Sequence, residues 1–284
     1  MIIFAVILTA IDFVLSKLYQ KRHGSSMLSG LKFNFFVGLF SSIIFLIINK
    51  FKVEITLFSC ILAVVMTIVA IFYINLGFVI ITDGKTSYYA FFKSMGSMLV
   101  PYMWGLLYLK EKPSVFNVIG LVLIAASIYL MNSDMGKIKI KIIFLCSIVF
   151  IAAGVVSIIS KEHSINTNAV SPIGYVLLTS FVKVIFCGGL YLLLKWKSTD
   201  KYESKKDYGS LSLLCAASAL LTGISYMIQL NFAKDMPATL LYPILTGGTI
   251  VATTLFAGLF FKEKLTIKGI FSVIICFVGT FMFA

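Results

Sequence analysis

The chain has 284 residues, of which 60% are hydrophobic and 12% charged, with a formal net charge of +13. A soluble domain carries about 25% charged residues, and a soluble core of this length cannot hide so much apolar surface. The basic residues are spread over many short loops rather than gathered in one basic domain or helical stripe, which excludes a nucleic-acid partner and fits anionic lipid headgroups.

Apolar runs follow one another at 1–19, 29–49, 56–80, 86–108, 114–132, 139–159, 171–195, 209–232, 237–261 and 265–284. A hydrocarbon core about 30 Å thick needs roughly 20 apolar residues per spanning helix. Backbone amides cannot stay unpaired in lipid, so each run reads as a helix. The runs are too long and too uniformly apolar for strands of a membrane barrel. The first begins at Met1 with no basic segment ahead of it and reads as a spanning helix rather than a cleavable leader. The longest polar link, Lys195 to Asp207, is a solvated loop, and no soluble domain is left over. The expected fold is an all-α integral membrane protein of ten transmembrane helices.

An internal repeat shows in the chain itself. Under a shift of 152 residues, Asp83 meets Asp235, Gly96 meets Gly248, and Lys110-Glu111-Lys112 meets Lys262-Glu263-Lys264. Under a shift of 144, Ser16-Lys17 meets Ser160-Lys161. Each half then holds five helices, residues 1–133 and 134–284. An odd number inverts the second half in the membrane, an arrangement common in secondary transporters, which hold their solute between the halves near the midplane.

The two stretches LLYLKEKPSVFNVIGLVLIAASIYLM and LFFKEKLTIKGIFSVIICFVGTFMF, and the lysines closing the first helix of each half (Lys17 and Lys161), resemble the drug/metabolite transporter superfamily of the paired EamA-domain type. The resemblance covers almost the whole chain. It implies a ten-helix transporter, proton-coupled, exchanging or facilitating, with substrates ranging from amino acids and phosphorylated sugars to drugs and quaternary amines. One departure stands out. Family members often carry a Trp-Gly pair in the first helix, where this chain has Ala10, Ile11, Asp12 and Phe13.

A charge within a spanning helix is costly and marks a pathway, a partner or a structural pair. Asp12 lies mid-helix, placed either to take a proton and a cationic solute in turn or to neutralise a buried lysine. Lys93 lies mid-run in SYYAFFKSMGSM, too far from either end to snorkel easily; it wants a carboxylate, with Asp12 one candidate, or an anionic ligand. Lys183 is also near mid-run, either functional or partly snorkelling to lipid. Lys17 and Lys32 read as interfacial anchors.

Uncharged polar candidates are Tyr88 and Ser94 on the fourth run, together with Ser87. Tyr226 and Gln229 follow on the eighth, and Tyr242, Thr246 and Thr249 on the ninth. The last three, with Thr253, are spaced by four, three and four residues, which puts them on one helical face. That face is a cavity wall or an interhelical seam. Gly96, Pro243, Gly247 and Gly248 are candidates for helix bends or gates, or for close packing.

No phosphate loop, metal-ligand spacing or nucleophile motif is present, so neither an enzyme nor a cofactor is expected. The five cysteines stand apart within apolar runs and read as small buried hydrophobes. The partners expected are membrane lipid, a small-molecule substrate and, through Asp12, protons; oligomeric state stays open.

Lysines crowd the odd-numbered loops, from Lys17, Lys21 and Arg22 to Lys262, Lys264 and Lys268. The even-numbered loops hold Lys50, Lys52, Lys110, Lys112, Lys161 and Lys234. The positive-inside rule puts the odd loops in the cytoplasm and both termini outside, whereas the resemblance implies both termini inside. Three functions follow: a carrier of a polar or charged metabolite such as an amino acid, a proton-coupled exporter of amines, or a non-transporting scaffold or sensor with Asp12 and Lys93 locked together.

Overall fold

The computed structural model describes residues 1–24, 26–82, 86–131, 140–197, 208–261 and 266–283. Ten α-helices run through them in order: α1 (Ile2–His23), α2 (Met27–Ile48), α3 (Leu57–Thr82), α4 (Thr86–Leu107), α5 (Val115–Met131), α6 (Ile140–Ile165), α7 (Pro172–Lys197), α8 (Tyr208–Asp235), α9 (Ala238–Phe261) and α10 (Ile267–Phe281). Asp83, the Lys262–Lys264 half of the repeated basic turn, most of the long polar link and the side chain of Ser87 lie outside the described residues.

Among the described residues, seven helices are long and apolar enough to cross a membrane: α1, α2, α3, α6, α7, α8 and α9. Helices α5 and α10 have 17 and 15 residues, which at 1.5 Å per residue gives about 22–26 Å, less than a full hydrocarbon core. Helix α4 carries the charge of Lys93. Large apolar side chains such as Phe116, Phe144, Leu193 and Phe271 are exposed on the outer surface. Hydroxyls such as Ser41, Ser59, Ser127, Ser225 and Ser272 are buried within. Apolar outside and polar inside is the partition lipid demands.

Several helices outrun the apolar stretches that announce them, α1 and α6 by a full turn or more. Helix α1 continues to His23 and α6 to Ile165, whereas apolarity alone ends them at 19 and 159. Apolarity marks where lipid stops, but hydrogen-bonding partners decide where a helix stops. In α6 the extra turns are held because Lys161 and His163 are buried against protein.

Helix α1 packs on α8 and α9, α6 on α3 and α4, and α2 on α7 and α8; α7 meets α3, α4 meets α9, and α5 meets α10. Exchanging each helix with the one five places on turns α1·α8 into α6·α3, α1·α9 into α6·α4, and α2·α8 into α7·α3. The pairing is consistent with an internal repeat.

Side chains agree at two crossings. A Cβ on Gly96 would sit 2.0 Å from the Phe150 carbonyl oxygen, and one on Gly248 would sit 3.2 Å from Val6. The sequence shifts make Gly96 the counterpart of Gly248 and Phe150 the counterpart of Val6. Both glycines thus serve close helix approach.

At the α5·α10 crossing, Ser127 Oγ donates to the Ser272 carbonyl at 2.8 Å and Ser272 Oγ returns a bond to the Ser127 carbonyl at 2.7 Å. A Cβ on Gly120 would lie 2.7 Å from the Gly279 carbonyl oxygen. Serine hydroxyls hold the two backbones together and glycines let them approach.

Gly96→Ala drives its new methyl into rigid backbone, so it costs about 1–3 kcal/mol despite alanine's better helix propensity. Gly189, also within a helix, has no atom within 4 Å of an added Cβ. Gly189→Ala therefore melts at or above the wild-type temperature in detergent, while Gly96→Ala melts several degrees lower; equal melting temperatures would contradict this packing.

Candidate functional site

The site grows from the antiparallel contact of α1 with α8. Thr9 and Ser225 share a hydrogen bond of 2.8 Å, and Ser225 also donates to the Ala5 carbonyl at 2.8 Å. Gln229 Nε2 donates to Ser225 Oγ at 3.0 Å. One turn further along α1, Asp12 Oδ1 accepts from the Ser218 hydroxyl, with Thr222 beside it. Residues 218, 222, 225 and 229 share one α8 face by their spacing of three or four.

These residues border two internal voids of about 340 Å³ each, which share Asp12, Asn34, Lys183 and Thr222 in their walls. That volume is at the lower end of the range for small-molecule sites. The first void is lined by Leu31, Met66, Ile71 and Val176 together with Tyr226 and Gln229. The second runs past Ser16, Gln20 and Ser26, where α1 ends and α2 begins, and reaches Tyr89 and Lys93.

Asp12, Lys93, Lys183, Tyr226 and Gln229 therefore face the voids. The expected contact of Asp12 with Lys93 is absent. Asp12 is aimed at α8, and Lys183 on α7 is the lysine whose field it feels. Lys93 instead faces Tyr73 and Tyr89, with its Nζ 5.9 and 6.0 Å from their ring centroids. Tyr89 is pressed close to Gly77, where a Cβ would lie 2.4 Å from the ring. Among the described residues, neither Lys93 nor Lys183 has a hydrogen-bonded or ion-paired protein partner.

The other expected residues lie elsewhere. Tyr88 is buried among Ile80, Ile142, Cys146 and Val149. The Ser94 carbonyl accepts from Ser97 Oγ at 3.0 Å, and Ser94 is outside both voids. Tyr242 is buried and donates to the Ser157 carbonyl at 2.5 Å. Thr246 and Thr249 border neither void; the Thr249 carbonyl accepts from Thr253 at 2.7 Å. The α9 stripe thus lies outside both voids. Its bend candidates also pack: Pro243 and Gly247 are buried, and a Cβ on Gly247 would meet Thr280 at 2.2 Å.

Asn34, Thr222 and Tyr73 line the voids without having been singled out. Asn34 carried a signal, an amide among aromatic side chains early in an apolar run, in FNFF. No group of three metal-ligating side chains occurs among the described residues.

The opposite end of the bundle is closed by polar clasps. Lys161 Nζ donates to the carbonyls of Ala233 and Met236 at 2.6 and 2.7 Å, capping the end of α8. Lys161 is thus a buried clamp and not a loop charge. Glu111 accepts from the amides of Ala238 and Thr239, both at 2.8 Å, and so caps the start of α9 with a carboxylate. Trp104 donates to Glu162 at 2.7 Å, and Glu54 accepts from the Ser171 amide at 2.7 Å at the start of α7. The voids reach the α1–α2 end, and these bonds close the other.

Lipid-facing apolar sides surround a largely apolar cavity that carries the charges of Asp12, Lys93 and Lys183. The EamA-like transporter family model matches residues 139–284, just over half the chain. The chain belongs to that family, as a multi-pass membrane protein and not an enzyme. A solved crystal structure 13% identical in sequence aligns over 99% of this chain and 94% of its own with a TM-score of 0.72, a likeness of fold. No curated protein matches.

Two tests follow from the geometry. Glu111→Ala removes two charge-assisted bonds, each worth about 1.5–3 kcal/mol, and lowers the melting temperature more than Glu111→Gln, which keeps one acceptor; equal losses would deny the capping role. On a cysteine-free background, Asn34→Cys is modified by a hydrophilic thiol reagent applied from the α1–α2 side, and Ser157→Cys resists it. Labelling of Asn34→Cys from the opposite side alone would reverse the direction of access.

Proposed function

We propose that the protein is a secondary transporter that exports or exchanges a small carboxylate-bearing or zwitterionic metabolite such as an amino acid, by alternating access. The observation that carries this reading is the charge of the cavity. Its charged lining residues are two lysines, Lys93 and Lys183, against one carboxylate, Asp12. A cavity walled by apolar helices amplifies such a bias, because little solvent screens it. Two ammonium groups repel amines and attract carboxylates, so the metabolite reading is favoured over an exporter of cationic compounds. The separation of Asp12 from Lys93, and a cavity that reaches one end of the bundle, speak against a packed scaffold.

The two halves, residues 1–133 and 134–284, would rock against each other as inverted repeats about this cavity. The lysine-rich odd loops favour a cytoplasmic position for the α1–α2 end. In that orientation the cavity takes up its solute from the cytoplasm, as an exporter requires. Lys183 and Asp12 contact the solute, while Asn34, Thr222 and Gln229 orient it by hydrogen bonds.

Uptake into proteoliposomes, with amino acids, carboxylates and amines labelled in turn, tests the reading. Carboxylate-bearing solutes accumulate saturably, and Lys183→Met raises their KM at least tenfold, the loss of one charge-assisted contact of about 1.4 kcal/mol or more. Saturable transport of amines that is indifferent to Lys183→Met would refute the assignment.

A further inference from the structure

Resting on the transporter reading above, the identity of the solute can be narrowed by the way the three cavity charges are divided. We infer that the preferred solute is a small acidic zwitterion, with one ammonium and two acidic groups, as in a dicarboxylic or phosphorylated amino acid.

The three charges fall into two unlike places. Asp12 and Lys183 are electrostatic neighbours and both border both voids. Lys93 borders only the second void, between Tyr73 and Tyr89, and has no carboxylate partner among the described residues. In an α-amino acid the ammonium and the carboxylate hang on one carbon and cannot be far apart. They match the neighbouring pair, ammonium to Asp12 and carboxylate to Lys183.

Asp12 Oδ1 is engaged by Ser218, and a carboxylate has further acceptor sites for an ammonium. Each lysine presents up to three donors, and no described residue accepts from them. An unanswered ammonium within a membrane bundle is costly unless a ligand or water meets it.

A neutral amino acid satisfies Asp12 and Lys183 and leaves Lys93 without a counter-charge. A dicarboxylate lacking an amine satisfies both lysines and repels Asp12. An acidic zwitterion answers all three, its distal acid lying at Lys93. There the hydroxyls of Tyr73 and Tyr89 are additional donors to a carboxylate or a phosphate.

The test uses the full chain in phosphatidylcholine vesicles, so that anionic headgroups supply no competing acid. Glutamate, aspartate and O-phosphoserine, each labelled in turn, are compared with glutamine, succinate and inorganic phosphate. The first three are expected to show KM values at least tenfold below the others. Lys93→Gln, which keeps size and hydrogen bonding without charge, is expected to cut the glutamate-over-glutamine preference at least tenfold, and Lys93→Arg to keep it.

Glutamine transported as well as glutamate by the wild type would overturn the inference and leave the transporter reading standing. So would succinate or phosphate matching glutamate, or a preference unchanged in Lys93→Gln. No uptake of any solute would overturn both. The wild-type comparison decides even where a variant fails to fold.

Discussion

Hydrocarbon offers no hydrogen bonds, so each polar group inside this bundle must be met by another protein group, by water or by a ligand. That demand explains why the buried hydroxyls recur in reciprocal pairs. Ser41 meets Ser180 at 2.8 Å between α2 and α7, Thr9 meets Ser225 between α1 and α8, and Ser127 meets Ser272 between α5 and α10. It also explains why Lys161 lies on the carbonyls that end α8 and Glu111 on the amides that start α9. Helix ends leave backbone groups unpaired, and here charges of the matching sign answer them.

Against that background Lys93 and Lys183 are exceptions. Tyrosines, an asparagine and hydroxyls line the voids with them, and neither has an ion pair among the described residues. Two such positions share the walls of the voids, and the buried Tyr102 hydroxyl is a third polar group without a hydrogen-bond partner among the described residues. At the far end of the bundle the same chemistry is spent on helix capping. The closed end is tied through α6, α8 and α9 and the turn before α5, all by charge-assisted bonds. Charge-assisted clasps at one end and the voids toward the other make the two ends of the bundle unlike.

Much of the fold was legible because lipid imposes a coarse code. Apolar runs gave ten helices in the right order, and the shifts of 144 and 152 residues anticipated that Gly96 and Gly248 occupy matching crossings. The ends of α1 and α6 were not legible, because their extra turns depend on partners distant in sequence.

The site divides in the same way. A mid-helix charge is conspicuous, so Asp12, Lys93 and Lys183 stood out. Their partners did not, because which helix a side chain faces is set by packing. The Tyr242–Thr253 spacing puts four residues on one face of α9 but could not say that none of the four borders either void. Ser218 and Thr222 look like ordinary packing hydroxyls until α1 brings Asp12 against them.

The α5·α10 crossing has a consequence for how this sequence is free to drift. Its contacts pair Gly120 with Gly279 and Ser127 with Ser272, while the 152-residue shift sets Gly120 opposite Ser272 and Ser127 opposite Gly279. Each half therefore contributes one small residue and one hydroxyl in reversed order, and neither position is independent. A bulkier residue at Gly120 finds no room unless α10 retreats, and retreat breaks both serine bonds. The four positions are constrained as a unit: a substitution that widens the gap at one needs a compensating change on the facing helix, so these two short helices can change only in step.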